Sequence, residues 1–140
     1  MNVILVIGRV LFALICLNAG VNHITHRKAM VGYAQFKKVP AAALAVPLSG
    51  VLLFLGAVSV ILGVYADLGA LVLAVLLLVM ALKMHDFWKA DEASKQNETI
   101  AFFKNVSMAG AGLVMFAALA GAEKGARVLG PMMTNSLFHK

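Results

Sequence analysis

From Val39 to Ala66 the chain carries no charged residue. A helix needs about 20 apolar residues to cross the hydrocarbon core of a bilayer, and this interval exceeds that length. Three other stretches have the same character. The predicted spans are residues 3–24, 41–65, 68–88 and 99–121, followed by a polar tail over 122–140. Across 140 residues, 62% are hydrophobic and 13% charged. A soluble domain carries about 25% charge, so this chain has roughly half of what a water-facing surface requires. The pattern predicts an all-α integral membrane protein, a single domain built as a four-transmembrane-helix bundle.

The net charge of +6 raises the question of a polyanionic partner. The basic residues sit in short segments between apolar runs, which is how a membrane protein distributes them. The partner this implies is the lipid bilayer, and no nucleic acid. Arg27, Lys28, Lys37, Lys38, Lys83, Lys89, Lys95 and Lys104 flank the first and third connections, against Arg9, Lys124, Arg127 and Lys140 on the other side. Positive residues favour the cytoplasm. The expectation is therefore a cell (inner) membrane location with both connections in the cytoplasm and both termini outside. No Lys or Arg precedes the first apolar run and no A-x-A-like site follows it, so the first span reads as retained rather than cleaved.

Local signals refine the spans. "YADLG" leaves almost no loop between the second and third, predicting a tight antiparallel hairpin. Pro40 suits the first turn of the second helix, and Pro47 lies inside it. The third helix is expected to continue through Lys83, His85 and Asp86 to Trp88. Asn97 is the expected N-cap of the fourth. Ser59-x-x-x-Gly63, Ser107-x-x-x-Ala111 and Ala117-x-x-x-Gly121 are candidates for close helix packing. Cys16 stands alone, which excludes an intrachain disulfide or redox pair and reads as an inert buried thiol.

Polar residues inside such a chain carry the functional question. "LNAGVNHITHRKAM" (17–30) ends the first span with two asparagines and two histidines. Four-span topology puts the ends of spans one and three and the start of span four on one membrane face. Asn22, His23, His85, Asp86, Lys104 and Asn105 therefore crowd one rim, with Asn18 deeper, and form the candidate ligand-binding set. His85 and Asp86 matter most, because an ionisable pair at helix depth is expensive. His26, Lys37 and Lys38 read as interface residues that meet water and anionic lipid. His23, His26 and His85 are the candidates for a metal, but no third ligand has a fixed spacing, so no metal site is assigned. Arg9, Cys16 and His23 recur every seven residues on one face. An unpaired Arg at that depth would be costly, so Arg9 is expected to form a structural ion pair with Asp67, or failing that with Glu123. His139, in the polar tail, is given no role.

Several segments resemble the DoxX family of small four-helix membrane proteins: "GRVLFALICLNAGVNH", "YAQFKKVP", "LSGVLLFLGAVSVILGVYADLGAL", "MHDFW" and "FFKN", in this order over residues 4–120. The resemblance implies a four-helix membrane fold and a link to redox or detoxification systems, with relatives named as small subunits of a thiosulfate:quinone oxidoreductase and others as assembly factors. It assigns no catalytic residue. Two positions depart from the family pattern: Lys38 stands in "KKVP" where Gly is common, and Ser49 where an acidic residue is common.

Three functions fit these features. The rim would cradle a quinone-type ligand, its oxygens hydrogen-bonded to Asn22, His23 or His85 and its ring against Phe36, Phe87 or Trp88. It would also suit docking or assembly of an oxidoreductase partner subunit. A small transporter or channel would need a polar path, which a homo-oligomer would have to create between copies. A stand-alone enzyme lacks support, since there is no nucleophile–base pair, nucleotide loop or second cysteine; a non-catalytic subunit is the expectation.

Overall fold

The computed structural model describes residues 2–122 and 129–138. Glu123, Lys124, Arg127, His139 and Lys140 lie outside the described residues. The chain forms α1 (Asn2–Thr25), α2 (Arg27–Phe36), α3 (Ala42–Leu62), α4 (Ala66–Met84), a 3-10 turn (Phe87–Lys89) and α5 (Lys95–Ala120), with no strand among the described residues. α1, α3, α4 and α5 are each long and apolar enough to cross a membrane. With no water in the bilayer core, a helix is one of the few ways to satisfy every backbone polar group. The protein is an all-α integral membrane protein of four spans.

α1 packs on α3, α3 on α4 and α4 on α5, while α1 and α5 barely touch. The bundle is thus a row of three close interfaces with a seam where the row closes. Its core is built of small and medium side chains, including Ala13, Cys16, Leu53, Ala57, Ala70, Leu73 and Ala109. Lipid supplies no hydrophobic drive between helices, so small residues that permit backbone approach do the work. The tightest crossing is between Gly20 and Gly50. A Cβ on Gly20 would lie 2.8 Å from both the Gly50 carbonyl oxygen and the Phe54 nitrogen. α1 buries Arg9, Ala13, Cys16, Gly20 and His23, the one-face stripe that the seven-residue recurrence predicts.

Other expectations are corrected. Ser107, Ala111 and Ala117 face outward, and α5 instead turns Asn105, Ala109 and Gly112 inward. Ser59 does sit at the α3–α4 crossing, where a Cβ on Gly69 would lie 2.8 Å from Ser59 Cβ, and its hydroxyl donates to Val64 O at 2.6 Å; Gly63, at φ 74°, instead ends α3. α4 stops at Met84, so His85 and Asp86 lie in the turn after it. Asn97 sits inside α5, because Asp91 Oδ1 accepts from Ser94 N and Oγ and starts the helix a turn earlier. Pro40 precedes α3, whose cap is Ala41.

The first connection holds an unexpected helix, α2, which packs Ala34 with Met30, Val31 and Val39 against Ala42, Val46 and Met84. It closes with two bonds, Val39 N to Ala34 O and Lys38 N to Gln35 O, both 2.9 Å. This is a Schellman ending, whose first residue past the cap normally is Gly. Here that residue is Lys38, at φ 59°, which gives a physical reason for the glycine common in the resembling family.

Two outcomes follow for thermal unfolding in detergent. Gly20→Ala should destabilise by about 1–3 kcal/mol, the usual cost of overpacking, while Gly8→Ala, with nothing within 4 Å, should be close to neutral. Lys38→Gly should raise stability by up to about 1 kcal/mol, by relieving the left-handed strain of a residue with a Cβ.

Candidate functional site

The Gly20–Gly50 crossing sets the last turn of α1 against α3. A Cβ on Gly50 would lie 2.6 Å from His23 Cβ, so α3 leaves no space there for anything but glycine. His23 Nδ1 then lies 2.9 Å from Ser49 Oγ and 3.3 Å from Val46 O. Ser49 Oγ in turn donates to Val46 O at 2.8 Å. The ring is buried, at 9% exposure, and held at one nitrogen.

A cavity of about 310 Å³ opens beside it, lined by α1 (Cys16, Asn18, Asn22, His23), α4 (Leu77, Met80), His85 and α5 (Lys104, Asn105, Met108). It lies along the seam between α1 and α5. A second cavity of about 350 Å³ lies under α2, between α3 and α4, lined by residues including Tyr33, Ser49, Val79 and Lys83. His23, Met30, Met80 and His85 line both, so the two spaces adjoin at two imidazoles and two thioethers. Asn105 is only 5% exposed, and its amide has no hydrogen-bond partner among the described residues. Neither amide atom is sealed off, so the group opens onto the cavity and can hydrogen-bond what fills it.

Of the predicted set, Asn22, His23, His85, Lys104 and Asn105 line one cavity together with Asn18. Asp86 lines neither; its carboxylate is spent on Lys37 Nζ at 2.5 Å. His26 is exposed and contacts only the neighbouring Thr25 hydroxyl, at 3.0 Å. Among the described residues no three His, Cys, Asp or Glu side chains gather as a metal would require. Phe36, Phe87 and Trp88 do not line the cavities. α2 turns Phe36 outward, 77% exposed, and Phe87 and Trp88 stack edge-on with Phe102 at 5.2 and 5.7 Å. Leucines and methionines form the walls instead.

Glu98, Tyr33 and Lys37 are the residues that sequence reasoning missed. Glu98 Oε2 lies 3.1 Å from His85 Nδ1 and 4.0 Å from Lys37 Nζ, and Tyr33 donates to Glu98 Oε1 at 2.7 Å. The cluster ties α2 to the end of α4 and the start of α5, roofing both cavities. A signal was present: Glu98 precedes Asn105 by seven residues, which puts both on one helical face. Lys37, read as a lipid-facing lysine, belongs to this cluster.

Arg9 and Asp67 do not pair. The guanidinium donates to Pro131 O at 2.6 Å, Ile61 O at 2.9 Å and Leu129 O at 3.1 Å. Asp67 Oδ2 accepts from Ser136 Oγ at 2.5 Å and Phe138 N at 2.7 Å. Both charges hold the segment 129–138 across the end of the bundle opposite α2. Backbone carbonyls take up the two terminal nitrogens of the buried guanidinium without a counter-charge, while its Nε has no partner among the described residues; Glu123, the other expected partner, lies outside the described residues.

A four-span membrane bundle with a polar-headed, apolar-walled cavity near one end is the class this geometry defines. The sequence model of the DoxX family matches residues 4–86, and the chain belongs to that family. No curated protein and no solved structure matches it.

The α2 cluster has a titration signature. Burial, the Glu98 hydrogen bond and the Glu98 charge all push the Tyr33 phenol up. Burial pulls Lys37 down, but its Asp86 hydrogen bond and neighbouring acids outweigh this and raise it. Both raised groups stabilise the fold below their unfolded values, and that contribution is lost as pH rises through the folded ones. The difference absorbance between wild type and Tyr33→Phe should therefore show a phenolate midpoint above about 10, the ordinary tyrosine value. Glu98→Gln should lower that midpoint.

Proposed function

We propose that this DoxX-family protein holds a quinone-type redox lipid in the cavity along the α1–α5 seam and serves as a non-catalytic, ligand-presenting subunit of a membrane redox or detoxification system. The observation that carries this reading is Asn105, only 5% exposed and without a hydrogen-bond partner among the described residues, facing the same cavity as His23 and His85. Around these polar groups the walls are Ile15, Leu53, Leu77, Met80 and Met108. Apolar walls with a few convergent polar groups are what a flat amphiphilic ring needs, and about 310 Å³ falls at the lower end of ligand pockets. A seam between helices that barely touch gives an isoprenoid tail a way out into lipid. The basic residues around α2 and the α4–α5 connection support placing that end at the cytoplasmic surface of the inner membrane.

Docking of an oxidoreductase partner is the companion reading. Trp88 and Phe103, 51% and 55% exposed, crown an aromatic cluster beside the cavity mouth, where a partner subunit receiving the ligand would bind.

Native mass spectrometry of the protein released gently from its own membranes tests the proposal. A stoichiometric small-molecule adduct of quinone mass is expected on the wild type, and its loss in Asn105→Leu and His85→Ala. A bare wild-type chain that travels with a second polypeptide would overturn ligand presentation in favour of docking alone.

A further inference from the structure

The hydrogen bonds behind the two cavity imidazoles fix what their front faces offer. A neutral imidazole has one N–H and one lone pair, and the group bonded to one nitrogen decides which nitrogen carries the proton. The single proton of Ser49 goes to Val46 O, so Ser49 Oγ can only accept from His23. His23 Nδ1 is therefore the donor, and its Nε2 carries the lone pair. Glu98, as a carboxylate, accepts only: Oε1 takes the Tyr33 proton and Oε2 faces His85 Nδ1. In its neutral form His85 therefore keeps its proton on Nδ1 and presents Nε2 as a lone pair. Neither Nε2 has a partner among the described residues, neither is sealed off, and both rings line both cavities.

We infer that the site is built for the reduced, hydroxyl-bearing form of its aromatic ligand, a hydroquinone or catechol, and binds it in preference to the oxidised dione. This rests on the reading of the cavity as a quinone-type site. A dione carries only acceptors. Set against two imidazole lone pairs, its oxygens find no proton on either ring and face repulsion. A diphenol brings an O–H to each Nε2. The amides of Asn22 and Asn105 both donate and accept, so they serve either form and do not discriminate. Lys83 and Lys104, at the rims, are exposed and keep their water.

Glu98 is the specificity-determining residue at one remove. It touches no ligand, but its acceptor-only carboxylate keeps the His85 proton turned away from the cavity. Ser49 does the same for His23.

The test is equilibrium binding of a short-chain benzoquinone and its hydroquinone to the full chain in lipid nanodiscs, by calorimetry under anaerobic conditions. The hydroquinone should bind about tenfold tighter, the scale of two net hydrogen bonds. His85→Phe should narrow that ratio several-fold, because only the diphenol uses the lost lone pair. The wild-type ratio decides even if the variant fails to fold. Equal or tighter binding of the quinone overturns the preference and leaves the ligand site standing. Binding of neither overturns the site itself, and the preference with it.

Discussion

Everything at the cavity depends on the backbone contact between Gly20 and Gly50. Two helices that touch without side chains between them fix the next turn of each, and His23 is one turn beyond Gly20 on the same face. The ring sits against α3, where its Nδ1 meets the Ser49 hydroxyl, and its other nitrogen is left to the cavity. A residue larger than glycine at either position would move the imidazole as well as the helix. In a bundle held by small residues, the packing contact and the orientation of the polar group are one structural decision.

The second support is electrostatic. Lys37, Asp86, Glu98, His85 and Tyr33 come from α2, from the turn after α4 and from α5, and none of these elements is adjacent to all the others in sequence. Their mutual bonds hold a ten-residue helix that would be marginal alone, since isolated helices shorter than about 12–15 residues barely form in water. α2 then roofs the second cavity and contributes Met30 to both. The half-buried ion pair of Lys37 and Asp86 lies beyond the helical part of α4, where desolvation is milder than in the hydrocarbon core.

The spans were legible because lipid imposes length and apolarity directly on the sequence. The gathering of Asn22, His23, His85, Lys104 and Asn105 followed from topology alone, since alternate connections of an antiparallel bundle share a face. What was not legible depends on tertiary contact. α2 hides in a basic, mixed segment whose only pattern is Met30 and Ala34 one turn apart, and its stability comes from Ala42 and Val46, which no local signal connects to it. The break at His85 was missed because apolar length favours a helix running on to Trp88, whereas the chain stops to deliver Asp86 to Lys37. The pairing of Arg9 with Asp67 was a sound electrostatic expectation. It failed because carbonyls at Ile61, Leu129 and Pro131 can converge on a guanidinium only after the chain folds back, and a search for counter-charges overlooks neutral acceptors.

That folded-back segment gives the molecule a polarity of its own. With Arg9 gripping one part of 129–138 and Asp67 another, the end opposite α2 is closed by chain, while the end beneath α2 holds the cavities and the titratable groups. A hydrophobic guest drawn in along the α1–α5 seam would meet water-borne protons through only one of the two surfaces. On the proposed reading, the site would serve the leaflet and the aqueous compartment on the α2 side.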